Sequence, residues 1–377
     1  MVTAISNAPA RTNPLDGIGT RVNERNSLTC LQSAGMDFDV ALEPVPNALT
    51  IRRQAQQLQN ADPTEVAAFL RRLGDGDYSV MGAPKVVKGK KGQDDTLADP
   101  EARYFQVVRT DTGDVLGQVE SRYAPQQNRD IFRCADELRE DGWNIVRAAT
   151  LDKGARCFMT LEADHSKDIN VVGDIVRLRI IIHTSHDGKF ATTMTVVPLR
   201  LWCTNGCSAP IPGFDFSWAI RHTVRGEEKL MDASEMIGKA GQYFNAFERI
   251  ATTLAQTKVT DPHAETIIKT TKGLDNDDSK QALAKRESIL SGFRGLQPGG
   301  DTEAMRNTAW GLFQAGCDVA DHGEDSRVRV TAGNTEADQR FKQAFGGAGR
   351  TLKFNLFDRI AGDTDLGLDL KAIATAN

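Results

Sequence analysis

No run of about 18 apolar residues occurs anywhere in the 377-residue chain, so a membrane-spanning helix is not expected. The stretch from Met1 to Gly17 holds no apolar segment of signal-peptide length, which leaves export by that route without support. Cysteine is sparse: Cys30, Cys134, Cys157, Cys203, Cys207 and Cys317 are scattered, unlike the dense frameworks of small secreted domains. Reduced thiols in a cytoplasm are the expectation. Aromatic residues make up only 6%. Positive charge is not in excess either, with 46 Lys and Arg against 51 Asp and Glu, a formal net charge of -5. No global positive field announces a nucleic acid, and any such site must be a local patch.

Catalytic signatures are missing as well. There is no G-x-x-x-x-G-K-[ST] phosphate loop, and the Gly346 to Gly349 run lacks both the lysine-hydroxyl pair and a preceding parallel strand. Neither a G-x-S-x-G elbow nor an H-E-x-x-H helix occurs, although a triad assembled only in space escapes a linear reading. An ATPase is disfavoured, and the chain reads as leaning away from an enzyme. No cofactor is expected.

What is present is ordinary globular material, 40% hydrophobic and 26% charged, long enough for a sizeable core. Leu28 to Ala34 and Phe38 to Leu42 read as a helix and a strand, and residues 64–73 as a short helix behind Asp62-Pro63-Thr64. The segment 84–100 is a flexible loop made basic by Lys85, Lys88, Lys90 and Lys91. Two β-rich runs joined by Asp111-Thr112-Gly113-Asp114 predict a hairpin. Asn128 is placed to cap a helix through Ile131, Phe132, Ala135 and Leu138 that ends at Asp141-Gly142. Four strands follow, Trp143 to Thr150, Ala155 to Ala163, Asp174 to Thr184 and Phe190 to Cys203, with His186-Asp187-Gly188 as a turn. A long helix is expected over Glu227 to Leu254, then helices including Thr302 to Ala320 and Ala337 to Phe345.

The fold class is therefore α+β: an antiparallel β-meander core at about 103–203 with a preceding helix, a long following helix and a mainly helical C-terminal part. Its divisions are an N-terminal α/β segment (1–83), the basic loop (84–100), the α+β core (101–260), a helical segment with polar linkers (261–301) and a C-terminal helical region (302–377).

Metal-like spacings are weak. His183-x-x-His186 precedes Cys203-x-x-x-Cys207, but an extended strand sends the two histidines to opposite faces, and packed thiols with turn histidines explain the set without zinc. Asp275, Asp277 and Asp278 sit in a polar break and read as solvated. No metal is expected. Of the four tryptophans, Trp202 and Trp310, set among apolar neighbours, read as core, while Trp143 and Trp218 are left open between a core and a base-stacking platform.

Several phrases nevertheless stand out as a set: GIGTRV at 17–22, AGMDFDV at 34–40, RYAPQQN at 122–128, HTSHDG at 183–188, PLRLWCTN at 198–205, IRHT at 220–223, and TAWGLF with a following Asp-His across 308–322. Together they resemble the phage/plasmid-like protein family, a domain of unknown function, and they do so in order along most of the chain. One departure is Thr184, where the family pattern has Asn before Ser-His-Asp-Gly, and His183 is not part of that pattern. The resemblance implies a mobile-element context and no known reaction. The order helix, Gly-Trp, meander, long helix also looks like the core of single-strand annealing proteins of the RecT/Redβ kind, an analogy of topology alone.

That analogy implies a sheet on which Arg and Lys hold phosphates while bases stay free to pair. The candidate contacts are Arg147, Lys153, Arg156, Arg177, Arg179 and Lys189, with Arg221 and Arg225 flanking His222. The expected function is a phage- or plasmid-type DNA-binding protein for single-strand annealing or recombination, with single-stranded nucleic acid as partner, no membrane, a homo-oligomeric state and the cytoplasm of a bacterial host. The alternative is a non-enzymatic structural or assembly-forming phage protein. An enzyme using residues separated in sequence is a third class.

Overall fold

β-branched and aromatic residues concentrate between Tyr104 and Ile220, and this stretch supplies most strands of two antiparallel sheets, each joined by one strand from upstream. A computed structural model describes residues 20–22, 26–44, 104–120, 122–164, 169–171, 173–200, 206–214, 217–224, 226, 233–275, 279–295, 303–322 and 347–376. The predicted helices at 64–73 and 337–345 and the basic loop at 84–100 lie outside these residues.

In chain order the elements are β1 (Thr20–Arg21), α1 (Ser27–Ser33), β2 (Val40–Pro44), β3 (Tyr104–Arg109), β4 (Val115–Glu120), α2 (Asn128–Phe132), α3 (Cys134–Glu140), β5 (Trp143–Leu151), β6 (Arg156–Ala163), β7 (Ile169–Val171), β8 (Asp174–Ser185), β9 (Thr192–Arg200) and β10 (Ser217–Ile220). Then come α4 (Ala233–Gln256), α5 (Asp261–Thr270), α6 (Lys280–Phe293), α7 (Ala309–His322), α8 (Ala348–Ala361) and α9 (Leu370–Thr375).

The large sheet runs β1-β5-β6-β8-β9-β10, with β7 pairing the start of β8. The expected α+β meander is thus present, extended at its edges by β1 and β10. Register assigns its two faces. Directly paired residues share a face, and side chains alternate along each strand. Cys157, Met159 and Leu161 of β6 therefore stand with Leu178, Ile180 and Ile182 of β8 and Met194 and Val196 of β9, and all enter one core. α4 lies on that face, its Phe244 ring stacked 5.9 Å from Trp143. The opposite face carries Arg147, Arg156, Arg179 and, by alternation, Arg177, interleaved with Phe158, Ile181 and His183.

The predicted hairpin forms as β3 and β4, with a bulge between Val107 and Val108, but it does not join the meander. Its partner is β2, from some sixty residues upstream, and the three strands make a second small sheet. The Asn128 helix is split into α2 and α3 at Arg133. Asn128 is its first helical residue, not its cap, and its side chain is buried. The helix expected from Thr302 is a 3-10 turn at Glu303–Met305, a left-handed Asn307 (φ 56°), and then α7, whose Gly311 N–H is capped by the Thr308 hydroxyl at 3.0 Å.

α7 is the hub of the helical layer, buried from Ala309 to Asp318 and packed between α4, α6 and α8. Trp143 and Trp310 are core residues, Trp218 is half-buried, and Trp202 lies outside the described residues.

Candidate functional site

Antiparallel pairing places the β5–β6 turn and the β8–β9 turn at the same end of the large sheet, because Arg156 pairs with Ser185. The end of β10 joins them there, since Ile220 pairs with Thr192. Three distant segments meet at this end: 122–128, 183–189 and 220–223.

The side chains of Gln126, Gln127 and Asn128 tie the segments together. Gln126 accepts from the Thr192 hydroxyl at 2.6 Å and donates to the Arg221 carbonyl at 3.3 Å. Gln127 extends the small sheet like an extra residue: its amide accepts from Val40 N–H at 2.9 Å and donates to Val40 O at 3.0 Å. Asn128 donates to Met36 O at 2.9 Å, so its Oδ1 faces His186 Nε2, also at 2.9 Å. That orientation makes Nε2 the protonated nitrogen of His186. His222 sets Nε2 3.4 Å from both Thr184 and Thr192, and its ring lies flat on Tyr123, 5.0 Å between centroids. Asn128, Thr184, Ser185, His186 and Thr192 are all buried.

A charged pair closes the turn. Arg156 and Asp187 are buried and meet at 3.0 Å, while Asp187 also accepts from the Ser185 hydroxyl and from Lys189 N–H at 3.0 Å. The turn fits closely against β4: a Cβ on Gly117 would lie 2.5 Å from Asp187 Cα. Gly188 takes a φ of +75°, a left-handed conformation that favours glycine.

Burial governs the titration of this cluster. It drives His186 down to about 3, helped by repulsion from His222, and drives His222 itself to about 4. His183, on the opposite face of the sheet from the core, is lowered to about 4 by burial and by the Arg350 charge. Burial alone would raise Asp187, but the Ser185 hydroxyl, the Lys189 N–H and the Arg156 and Lys189 charges outweigh it and hold the carboxylate below its usual range. The imidazoles are therefore neutral at neutral pH, and those of His186 and His222 serve as hydrogen-bonding groups in a closed clasp.

Around this buried clasp stand exposed cations. Lys153 projects from the β5–β6 turn, exposed, and pairs with Asp114 at 3.1 Å. Lys189 follows the β8–β9 turn, 67% exposed and 3.4 Å from Asp187. Arg221 is exposed at the end of β10, and Arg122 is exposed next to the stacking Tyr123.

Of the eight cations singled out in the sequence, the structure thus gathers Lys153, Lys189 and Arg221 at one sheet end. Arg147 and Arg177 are half-buried on the sheet face. Arg156 and Arg179 share that face but are buried and answered by Asp187 and Glu162, which takes them out of the set of surface cations. Arg225 lies outside the described residues. The sequence reading missed Arg122, Tyr123, Gln126, Gln127 and Thr192. The first four lie in the RYAPQQN phrase; Thr192 carries no signal in any of the quoted phrases.

The metal spacings resolve differently. Cys203 lies outside the described residues, and Cys207 is buried against Gln314, whose Nε2 is 3.1 Å from its sulfur. His183 pairs across the sheet with Phe158, away from the His186 clasp.

A family model described as a domain of unknown function, DUF932, matches residues 115–345. The phrases at 122–128, 183–188, 198–205, 220–223 and 308–322 fall within that span, and those at 17–22 and 34–40 precede it. Neither a curated protein nor a solved structure matches the chain.

Proposed function

The chain belongs to the DUF932 family, and from that premise we propose that it binds single-stranded DNA and acts as a phage- or plasmid-type annealing or recombination accessory. The observation that carries this reading is the gathering of Lys153, Lys189 and Arg221, from three separate strand ends, at one end of the large sheet. Exposed cations on rigid turns neutralise phosphates and release counterions without any bond-making step. Arg122 adds to the surface at this end, and Arg147 and Arg177 lie half-buried farther along the sheet. The clasp beneath holds the three segments in register, so the backbone positions that carry the cations are set before binding and only their exposed side chains are ordered by it.

The sequential meander with a long helix on its core face supports the annealing form of the reading by analogy of topology. An annealer of this kind works as a homo-oligomer in the cytoplasm of a bacterial host.

Fluorescence anisotropy with a labelled thymidine oligonucleotide tests the proposal. Binding is expected at low salt and should weaken steeply as salt rises, each single-strand phosphate contact contributing a slope of about 0.7 in log K against log salt. The combined change Lys153→Ala, Lys189→Ala and Arg221→Ala should flatten that slope by about 2. A chain that ignores the oligonucleotide at low salt, or an unchanged slope in the triple variant, overturns it.

A further inference from the structure

On the side of the helical layer formed by α5 and the turn after α8, three potential ligands converge. His263 in the first turn of α5, with Asp363 and Asp365 just beyond α8, offer one nitrogen and two carboxylate oxygens that all lie within 4.8 Å of one another. We propose that these residues bind a single divalent transition-metal ion of the zinc or manganese class. One imidazole with two carboxylates is a donor set suited to such ions, and it does not depend on the nucleic-acid reading.

The carboxylate of Asp363 is already oriented as a ligand. Its Oδ2 is held by Arg359 at 2.8 Å, and Arg359 is itself anchored through Nε to the Thr270 hydroxyl at 2.7 Å. This leaves Oδ1 turned toward His263 Nε2, 2.9 Å away. That separation is close to the edge of a tetrahedron built on metal bonds of about 2.0 Å, roughly 3.3 Å, so an ion enters between these two atoms with little movement, the Nε2 proton passing to solvent while Nδ1 carries the proton of the neutral ring. The Arg359 contact is the kind of outer support that fixes a ligating carboxylate.

Asp365 supplies the independent observation. Its carboxylate has no hydrogen bond or ion pair among the described residues; only its backbone N–H is engaged, with Asp363 Oδ1 at 3.1 Å. Of the two carboxylates, only that of Asp363 meets Arg359 among the described residues. The Asp365 charge is thus unanswered among the described residues, and a cation between the two carboxylates would relieve it. All three ligands, together with Thr260, Thr266 and Thr364, line one open polar cavity of about 600 Å³, with room for water or a small oxyanion to complete the coordination.

Calorimetric titration of the metal-stripped full chain with zinc chloride, and separately with manganese chloride, at neutral pH should show one equivalent bound in the micromolar range. Asp365→Ala and Asp365→Asn should lose that equivalent while melting, without metal, at the wild-type temperature, because the Arg359–Asp363–His263 contacts remain. His263→Asn should lose it too. Absence of micromolar binding of either ion to the wild type overturns the proposal, as does an equivalent retained in both the Asp365 and His263 variants. The oligonucleotide assay, run with a chelator, reports on the other reading alone.

Discussion

At the scale of single residues, the sheet-end clasp separates cations that stabilise the fold from cations that face solvent. Arg156 and Lys189 both meet Asp187, yet Arg156 is buried and Lys189 is mostly exposed. Removing one member of a buried pair strands the other charge, at a cost of about 3–5 kcal/mol, whereas an exposed pair is worth about 1 kcal/mol at most. Arg156→Ala is therefore expected to lower urea stability by about 3–5 kcal/mol. Lys189→Ala should change stability by less than about 1 kcal/mol and act only on oligonucleotide affinity. The histidines give a second prediction. His186 falls to about 3 and His183 and His222 to about 4, below the ordinary imidazole value, so the unfolded chain binds more protons between roughly pH 6.5 and 4. Their contribution is fully present above about pH 6.5 and is lost as pH falls through that window, at up to about 1.4 kcal/mol per pH unit for each group. Asp187, lowered in the fold, adds its own loss only below about pH 4. Chemical denaturation from pH 7.5 to 4 checks this, and His222→Gln should flatten the slope; a stability independent of pH above 4.5 contradicts it.

At the scale of elements, close approach of the small sheet to the β8–β9 turn depends on one missing side chain. A Cβ on Gly117 would meet backbone atoms of Asp187, which cannot swing aside as a flexible side-chain tip would. Gly117→Ala should cost about 1–3 kcal/mol by overpacking, and binding by Lys189 should weaken with it because the same turn is displaced. A variant as stable as wild type shows that the two sheets are free to separate. Local patterning made the meander, both hairpin turns and the long helix legible in the sequence, because each is set by periodicity and turn residues within about twenty positions. The pairing of β3 with β2 was not legible: strand alternation says which face is buried, not which distant strand supplies the partner. Asn128 misled for a related reason. Asparagine before an apolar helical run is a good cap, but the need to satisfy buried His186 and the Met36 carbonyl moved it inside and left the cap position to Gln127. Arg156 and Arg179 stand on one sheet face with Arg147 and Arg177, yet their acidic partners, Asp187 and Glu162, come from a turn and a neighbouring strand that alternation does not register.

At the scale of the whole molecule, the sheets and the helical layer share a single hydrophobic cluster that reaches from Val22 to Ala374 among the described residues. A polar bridge passes through it. Asp174 at the start of β8 receives Arg200 Nε from β9 at 2.6 Å and the Trp310 indole N–H from α7 at 3.2 Å, and Arg200 also touches Met305 Sδ at 3.1 Å. Asp174 and Arg200 are wholly buried, so this carboxylate joins the sheet to the helical layer and balances a charge that water cannot reach. Trp310 makes the bridge observable once Trp143, Trp202 and Trp218 are replaced by Phe: its fluorescence then reports on α7 while far-ultraviolet circular dichroism reports on all the secondary structure. With one core, the two signals should fall together in urea, as in a two-state transition. Asp174→Asn keeps the shape but leaves Arg200 without its counter-charge, and should lower both midpoints equally, by about 3–5 kcal/mol of stability. Were the helical part from α5 onward an independent domain, the variant would shift its signal apart from that of the sheet, and two transitions would appear where a shared core allows one.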